Sequence, residues 1–178
     1  MPASLPIADI ELRDVDGEPS RLSDVLARRY TVVQLVRYYG CLPCQDWLIR
    51  LDNAMPLLGR HDAGAIAVGG SADYQAQWLR DERGVEIPLF LDPDHQLREA
   101  LGTRKGLGVR MLDPRGFAAY GKVLRSGLKP QGITKDSVRS PGVVILDQER
   151  QVHWQYTGNR IGDYPPVDEV IRAVRELT

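Results

Sequence analysis

The two cysteines of this 178-residue chain, Cys41 and Cys44, are separated by two residues. On a helix, side chains three residues apart lie on the same face, with their Cα atoms about 5 to 6 Å apart. This separation lies within the range that a disulfide bond tolerates. One thiolate can therefore attack an oxidised substrate while the other closes an intramolecular disulfide, which is the chemistry of a redox-active dithiol.

The residues around the pair indicate which sulfur is the nucleophile. Residues 31–36 are β-branched and nearly all apolar, which predicts a strand buried on both faces directly before the pair. If a helix begins at or just after Cys41, its unpaired N–H groups and positive dipole end favour the thiolate of that residue. Pro43 suits the first turn of such a helix, where its missing N–H is not needed. The sequence therefore favours attack by Cys41 and closure of the disulfide by Cys44.

Strands and helices alternate along the chain, which predicts a single α/β domain over residues 1–178. Its mixed central sheet would be flanked by helices and preceded by an N-terminal β extension. The predicted strands cover residues 7–15, 31–36, 63–68, 88–91, 142–146 and 151–156. The predicted helices begin near Ser23, Cys41, Ser71, Asp92 and Pro165. Pro56 bends or ends the second helix, and the third turns Tyr74 and Trp78 inward.

The composition narrows the classes of function. Its 23 basic and 24 acidic side chains argue against a dedicated nucleic-acid-binding protein, which usually carries a strongly basic domain. The N-terminus lacks the features of a secretory signal, and no apolar run approaches the roughly 20 residues of a transmembrane helix. These features predict a cytoplasmic protein, in which a cysteine pair is more often reactive than structural. Because a zinc site needs about four ligands and the histidines are scattered, we expect no metal and no other cofactor.

Residues 40–44, Gly-Cys-Leu-Pro-Cys, resemble the C-x-P-C active site of thioredoxin-fold oxidoreductases. Ser140 and Pro141, directly before an apolar strand, resemble the cis-proline loop of that fold. More widely, residues 7–177 resemble the peroxiredoxin-like branch of the alkyl hydroperoxide reductase and thiol-specific antioxidant superfamily. The segments that carry this resemblance are residues 36–44, 90–94, 141–147 and 163–167.

The resemblance implies a thioredoxin-like fold and an antioxidant enzyme that reduces hydroperoxides or disulfides without a metal or an organic cofactor. A thioredoxin-type or glutathione-type reductant would reset the dithiol, and a homodimer is left open. Two alternatives stand beside this enzyme. One is a non-catalytic redox sensor or docking protein that uses the same disulfide switch, and the other is a copper-handling protein of the same fold.

The peroxiredoxin motif P-x-x-x-T-x-x-C offers a second assignment of the two sulfurs. If Cys44 is placed at the peroxidatic cysteine, Arg37 and Cys41 fall at the proline and threonine positions. The resemblance then implies that Cys44 attacks first. The arginine that assists peroxide binding in that family falls on Pro141, so Arg37 or Arg139 would supply the cation that stabilises a thiolate.

Residues 103–140 form a basic insertion before the proline loop. The insertion contains two acidic residues and nine basic ones, namely Arg104, Lys105, Arg110, Arg115, Lys122, Arg125, Lys129, Lys135 and Arg139. The spacing of Phe117, Tyr120, Leu124 and Leu128 predicts one amphipathic helix. Placed over the active site, this segment would attract an anionic substrate, an acidic redox partner or an anionic membrane surface. A solvated loop is the alternative.

Overall fold

A mixed sheet with helices on both faces forms the centre of the protein. This computed structural model describes residues 5–70, 72–103, 106–128 and 132–178. The strands are β1 (Glu11–Asp14), β2 (Pro19–Arg21), β3 (Tyr30–Leu35), β4 (Ala63–Gly69), β5 (Leu89–Leu91), β6 (Gly142–Asp147) and β7 (Val152–Thr157). The α-helices are α1 (Leu22–Val25), α2 (Leu42–Asn53), α3 (Met55–Gly59), α4 (Asp73–Arg83), α5 (Gln96–Ala100), α6 (Pro114–Leu124) and α7 (Val167–Leu177). Two short 3-10 helices cover Gly108–Leu112 and Lys135–Val138.

The sheet has the strand order β2-β1-β5-β4-β3-β6-β7. As the apolar sequence predicts, every residue of β3 is buried, with β4 parallel on one side and β6 antiparallel on the other. The β1–β2 hairpin extends the sheet beyond β5, with β1 antiparallel to that strand. The predicted mixed sheet and N-terminal β extension are therefore confirmed.

Alternate residues of β3 supply two separate cores, because successive side chains of a strand point to opposite faces. Val32 belongs to a core that includes buried residues of α2, α4 and α7. Val33 and Leu35 belong to the other core, which includes Leu22 of α1 and Leu97 of α5. The central strand is thus fixed from both sides, and its carboxyl end provides a rigid base for the loop that leads to the cysteines.

The periodic apolar residues after the cysteine pair fall on two helices instead of one. Helix α2 ends at Asn53, and α3 begins at Met55 with Pro56 in its first turn. Proline has no N–H for the helical ladder but fits a first turn, where that donor has no partner. The second helix therefore ends before the proline, which is one of the two outcomes that the sequence predicts.

The short helix near Ser23 begins differently from the sequence-based prediction. Helix α1 covers only Leu22–Val25, with Arg21 at its N-cap position, and does not extend to residue 28. The hydroxyl and the backbone N–H of Ser23 both donate hydrogen bonds to the carboxylate of Asp9. Because the serine side chain donates to this distant acceptor, it does not cap the helix.

Two predicted inward-facing sets are partly wrong. On α4, Tyr74 is 56% exposed, whereas Trp78 packs against the first core as expected. Ser71, the predicted cap of that helix, lies outside the described residues. Of the four apolar residues predicted to define an amphipathic helix in the insertion, Tyr120 and Leu128 pack inward, whereas Phe117 and Leu124 are exposed. Gly116 and Val123 complete the packed side of α6. Within the described ranges, no helix is both long and apolar enough to cross a membrane.

Candidate active site

The two cysteines lie where the central strand passes into a helix. Cys41 occupies the N-cap position of α2, and Pro43 and Cys44 lie in the first turn. The predicted start of the helix and the position of Pro43 are therefore confirmed. Both sulfurs are free thiols, and the two residues are 0% and 1% exposed.

Arg37 places a positive charge directly beside the pair. Its Nη1 atom lies 3.4 Å from the sulfur of Cys41, and the side chain is almost completely buried. Nε donates to the backbone carbonyl of Arg139 at 3.2 Å, and Nη2 donates to the carbonyl of Ser137. Of the two arginines that the sequence offers, Arg37 thus supplies a cation at the sulfur, while Arg139 supplies a carbonyl that orients it.

The surroundings of Cys44 lower the pKa of its thiol. Burial by itself raises this pKa, but the interaction with the Cys41 thiol, the charge of Arg37 and the nearby hydroxyl of Tyr164 outweigh the effect of burial. The pKa of Cys44 therefore lies below its ordinary value, and this sulfur is the better thiolate of the two.

The neighbouring sulfur behaves in the opposite way. Burial raises the pKa of Cys41, and so do its hydrogen bond to Cys44 and the negative charge that Cys44 carries. Arg37 opposes this shift without reversing it. The proton therefore stays on Cys41 while the charge resides on Cys44. The prediction that Cys41 is the nucleophile rested on its position at the helix start. It took account of neither the interaction between the two sulfurs nor the distant Tyr164.

Tyr164 reaches the dithiol from the loop before α7. Its hydroxyl donates to the carbonyl of Leu35 at 3.1 Å, and its ring stacks on Trp47 with centroids 5.1 Å apart. The indole N–H of Trp47 donates to the carbonyl of Pro165 at 2.7 Å, which holds that loop against α2. Tyr164 was not predicted as a site residue, because nothing in its local sequence indicates that it meets the end of β3.

A second buried arginine holds the loop next to the site. Arg98 is 4% exposed and donates to the carbonyls of Ser140 at 2.6 Å and Val36 at 3.0 Å. Burial lowers the pKa of Arg98 to about 10. Arg98 thus ties the end of β3 to the start of β6, and the sequence analysis also misses it.

The expected cis-proline is wrong, because the peptide bond between Ser140 and Pro141 is trans. The backbone carbonyls of Ser140 and Pro141 each accept a hydrogen bond. Arg98 donates to that of Ser140, and the N–H of Gly158 donates to that of Pro141 at 2.7 Å. These bonds anchor the loop on both sides of the proline.

The inner side of the insertion covers the dithiol. The hydroxyls of Tyr38 and Tyr120 lie 3.1 Å apart, which joins the cysteine loop to α6. Val123 and Leu128 form a small buried cluster with Leu42, which lies between the two cysteines and is the first residue of α2. The expectation that this segment covers the active site agrees with these contacts.

Two buried polar contacts fix the far end of the insertion. Nε2 of His95 lies 2.9 Å from the carboxylate of Asp136. The amide of Gln75 accepts from the N–H of Gly40 at 3.0 Å and donates to the carbonyl of Gly132 at 2.6 Å. A single glutamine side chain therefore links the insertion to the residue that precedes Cys41.

Beside the covered sulfurs, a groove of about 670 Å³ runs between α2, α6 and α7. Pro43, Trp47 and Tyr164 form the part of its wall next to the dithiol. Among the residues that the structure describes, no group of three or more His, Cys, Asp or Glu side chains is placed to hold a metal ion.

Comparison with known proteins agrees with this geometry. A family model described as the AhpC/TSA family matches residues 4–155. Prostamide/prostaglandin F synthase from Bos taurus is 27% identical over 169 residues, which cover 90% of this chain and 81% of that protein. Peroxiredoxin-like 2C from the same species is 19% identical over 185 residues, which cover 97% of this chain and 80% of that protein.

Solved structures share the fold along the whole chain. Peroxidoxin BcpB from Mycobacterium tuberculosis has a TM-score of 0.71 at 15% identity, covering 100% of this chain and 99% of its own. A variant of peroxiredoxin Q from Xanthomonas campestris has a TM-score of 0.71 at 16% identity and covers 100% of both chains. The expected thioredoxin-like fold is therefore confirmed.

Proposed function

The chain belongs to the AhpC/TSA family and is a thiol-based antioxidant oxidoreductase, and on that premise we propose that it reduces hydroperoxides through Cys44 and Cys41. Cys44 is the attacking thiolate, and Cys41 is the resolving thiol. The observation that carries this assignment is that, beside the buried charge of Arg37, the pKa of Cys44 is lowered while that of Cys41 is raised.

In the first step, the Cys44 thiolate attacks the terminal oxygen of the hydroperoxide and the O–O bond breaks. The alcohol leaves with a proton, for which the Cys41 thiol is the adjacent source, and Cys44 becomes a sulfenic acid. The Cys41 thiolate then attacks the sulfur of Cys44 and displaces hydroxide, which takes a proton from solvent to give water, and the disulfide forms. Two electrons and two protons from an external dithiol restore the starting state.

Arg37 supports both halves of this cycle. Its guanidinium lies at the sulfur of Cys41 and its charge also lowers the pKa of Cys44, so it favours negative charge on whichever sulfur is about to react. Its bonds to the carbonyls of Ser137 and Arg139 keep it oriented, and among the described residues no carboxylate pairs with it to neutralise its charge.

The burial of both sulfurs favours a hydroperoxide over a protein disulfide as the substrate. With Cys41 and Cys44 at most 1% exposed, a bulky partner reaches them only after the insertion moves. A thioredoxin-type or glutathione-type reductant would act at that stage. A reducing cytoplasm suits such a cycle, and both the compartment and a homodimer remain predictions.

The same cover supports a second candidate, a redox sensor. Disulfide formation changes the first turn of α2, and Leu42 in that turn packs against Val123 and Leu128 of the insertion. Oxidation would then alter the surface of the insertion without sustained turnover.

Single serine variants test the assignment of the sulfurs. In Cys41→Ser, Cys44 is retained and one equivalent of peroxide should give a sulfenic acid that a dimedone-type probe traps. In Cys44→Ser, trapping should be absent or far slower. The reverse pattern would assign attack to Cys41. Peroxide consumption with a thioredoxin system then separates the two functions, since a sensor forms a reducible disulfide but does not turn over.

A further inference from the structure

The outer side of the insertion exposes an unusual number of large apolar side chains. Among the described residues, six of the nine exposed large apolar side chains lie between residues 106 and 139, and the other three are Leu5, Leu57 and Tyr74. The six, which we term the apolar face, are Val109, Leu112, Phe117, Leu124, Ile133 and Val138. Phe117 and Leu124 are seven residues apart and share one side of α6. Exposed apolar side chains in such number mark an interaction surface.

Exposed positive charge lies in the same segment as the apolar face. Lys122, Arg125 and Lys135 are exposed, and they form no ion pair with any part of the chain that the structure describes. Lys122 also lines the groove between α2, α6 and α7. The two acidic residues of the insertion are paired, Asp113 with Arg115 at 2.8 Å and Asp136 with the buried His95. Within the described part of the insertion, the exposed cations are therefore not balanced by unpaired carboxylates.

We propose that this face docks on an anionic lipid membrane. Apolar side chains that enter the headgroup boundary, flanked by lysine and arginine, are the two components of interfacial membrane binding. In the full sequence the insertion carries seven more positive than negative charges while the whole chain carries a net charge of −1. The remainder of the chain is therefore acidic, and an anionic membrane would attract the insertion and repel the opposite side.

The charge and shape of the face distinguish lipid from other occupants. A second copy of the chain would bring the same excess of positive charge to the contact, so symmetric pairing through this face is unfavourable. The apolar side chains protrude from separate segments, with Val109 85%, Ile133 80% and Phe117 60% exposed. A protein partner would need a fixed surface complementary to each, whereas a fluid lipid interface accepts them individually.

Docking in this way would bring the dithiol close to the lipid surface. Helix α6 carries Phe117 and Leu124 outward, and through Tyr120 and Val123 it also contacts the residues beside the cysteines. The segment that binds lipid and the segment that covers the sulfurs are therefore the same. Hydroperoxides within the membrane would be presented at the side of the protein where access to the dithiol is controlled.

Vesicle sedimentation with the full chain tests this proposal. We expect binding to phosphatidylcholine vesicles containing about 30% phosphatidylglycerol to be at least about 10-fold tighter than to pure phosphatidylcholine. Added salt should weaken it. Binding should persist in the Cys41→Ser/Cys44→Ser double variant, so failure of the proposed catalytic cycle would not be confused with failure of membrane docking.

Matched variants locate the binding surface. Phe117→Ser with Leu124→Ser, and separately Lys122→Glu with Arg125→Glu, should each reduce binding to the anionic vesicles by about 10-fold or more. The controls Leu57→Ser and Arg172→Glu alter an exposed apolar and an exposed basic side chain outside the insertion and should leave binding unchanged. Absence of binding to anionic vesicles would overturn the proposal and leave an acidic protein as the partner, and so would equal loss in the controls.

Discussion

The hydroxyl of Tyr164 lowers the pKa of Cys44. The same hydroxyl donates to the carbonyl of Leu35 at 3.1 Å, and it has only one proton to donate. We infer that an ionised Cys44 competes with this carbonyl for the proton, which stabilises the charged form of the sulfur.

We predict that Tyr164→Phe raises the pKa of Cys44 by about one unit, the effect of losing one hydrogen bond to a charged group. The ring that stacks on Trp47 is retained. Because the pKa of Cys44 is depressed, its alkylation rate in the wild type should rise with pH below the ordinary thiol range of about 8.5. In the variant this rise should occur at higher pH.

Tyr30→Phe is the matched control for this experiment. The hydroxyl of Tyr30 also donates to a backbone carbonyl, that of Leu177, at 3.1 Å. Tyr30 is the first residue of β3, at the end of the strand opposite to Leu35. This variant should lose a similar hydrogen bond without moving the alkylation profile. Identical profiles for all three proteins would show that the Tyr164 hydroxyl has only a structural role.

Removing the charge of Arg37 should impair thiolate formation more strongly. In Arg37→Met, the pKa of Cys44 loses a lowering influence, and the carbonyls of Ser137 and Arg139 lose a buried donor. We expect peroxide reduction at pH 7 to fall by about 10-fold to 100-fold, and the free energy of unfolding to fall by about 1 to 3 kcal/mol.

Arg37→Lys separates these two effects, since it keeps the charge but not the fork of donors. Its activity at pH 7 should lie between wild type and Arg37→Met. Raising the pH should restore the methionine variant toward wild-type activity if the defect is one of ionisation. A pH-independent defect would contradict the electrostatic role.

The buried His95–Asp136 pair is predicted to hold the insertion in place. His95 adopts a left-handed backbone conformation with φ of 54°, which asparagine tolerates well. His95→Asn should therefore remove the contact with little backbone strain. We expect a loss of about 1 to 3 kcal/mol in unfolding free energy and faster tryptic cleavage at the basic residues of the insertion.

The pair formed by His153 and Asp147 is the control, because it has a similar separation of 2.8 Å but more exposed partners. His153→Asn should cost less than about 1 kcal/mol and leave cleavage of the insertion unchanged. Equal cleavage rates in both variants would mean that the His95–Asp136 pair does not secure the insertion.

Gly70 is predicted to be required for the same contact. An added Cβ at this position would overlap with the carboxylate of Asp136. Gly70→Ala should therefore displace the insertion and destabilise the protein by about 1 to 3 kcal/mol. Gly121→Ala, on the exposed part of α6 with no atom near its added Cβ, should instead stabilise by about 0.5 to 1 kcal/mol. Urea unfolding of the two variants measures the difference.

Features that depend only on neighbouring residues could be predicted before the structure was known. The buried strand β3, the start of α2 after Cys41 and the placement of Pro43 all follow from local patterning and backbone chemistry. The spacing of the two cysteines also indicated their redox chemistry, because three residues on a helix bring both sulfurs to one face.

The pKa values of the site, in contrast, depend on contacts between residues that are far apart in the sequence. Tyr164 and Arg98 reach the end of β3 from distant parts of the chain, and neither has a local signature of that role. The loop around Pro141 is likewise anchored by donors supplied from elsewhere in the chain. Periodicity identifies which elements form, but the pKa of a buried sulfur depends on the atoms packed around it. The ionisation of Cys44 is therefore a property of the fold, whereas the dithiol is a property of the sequence.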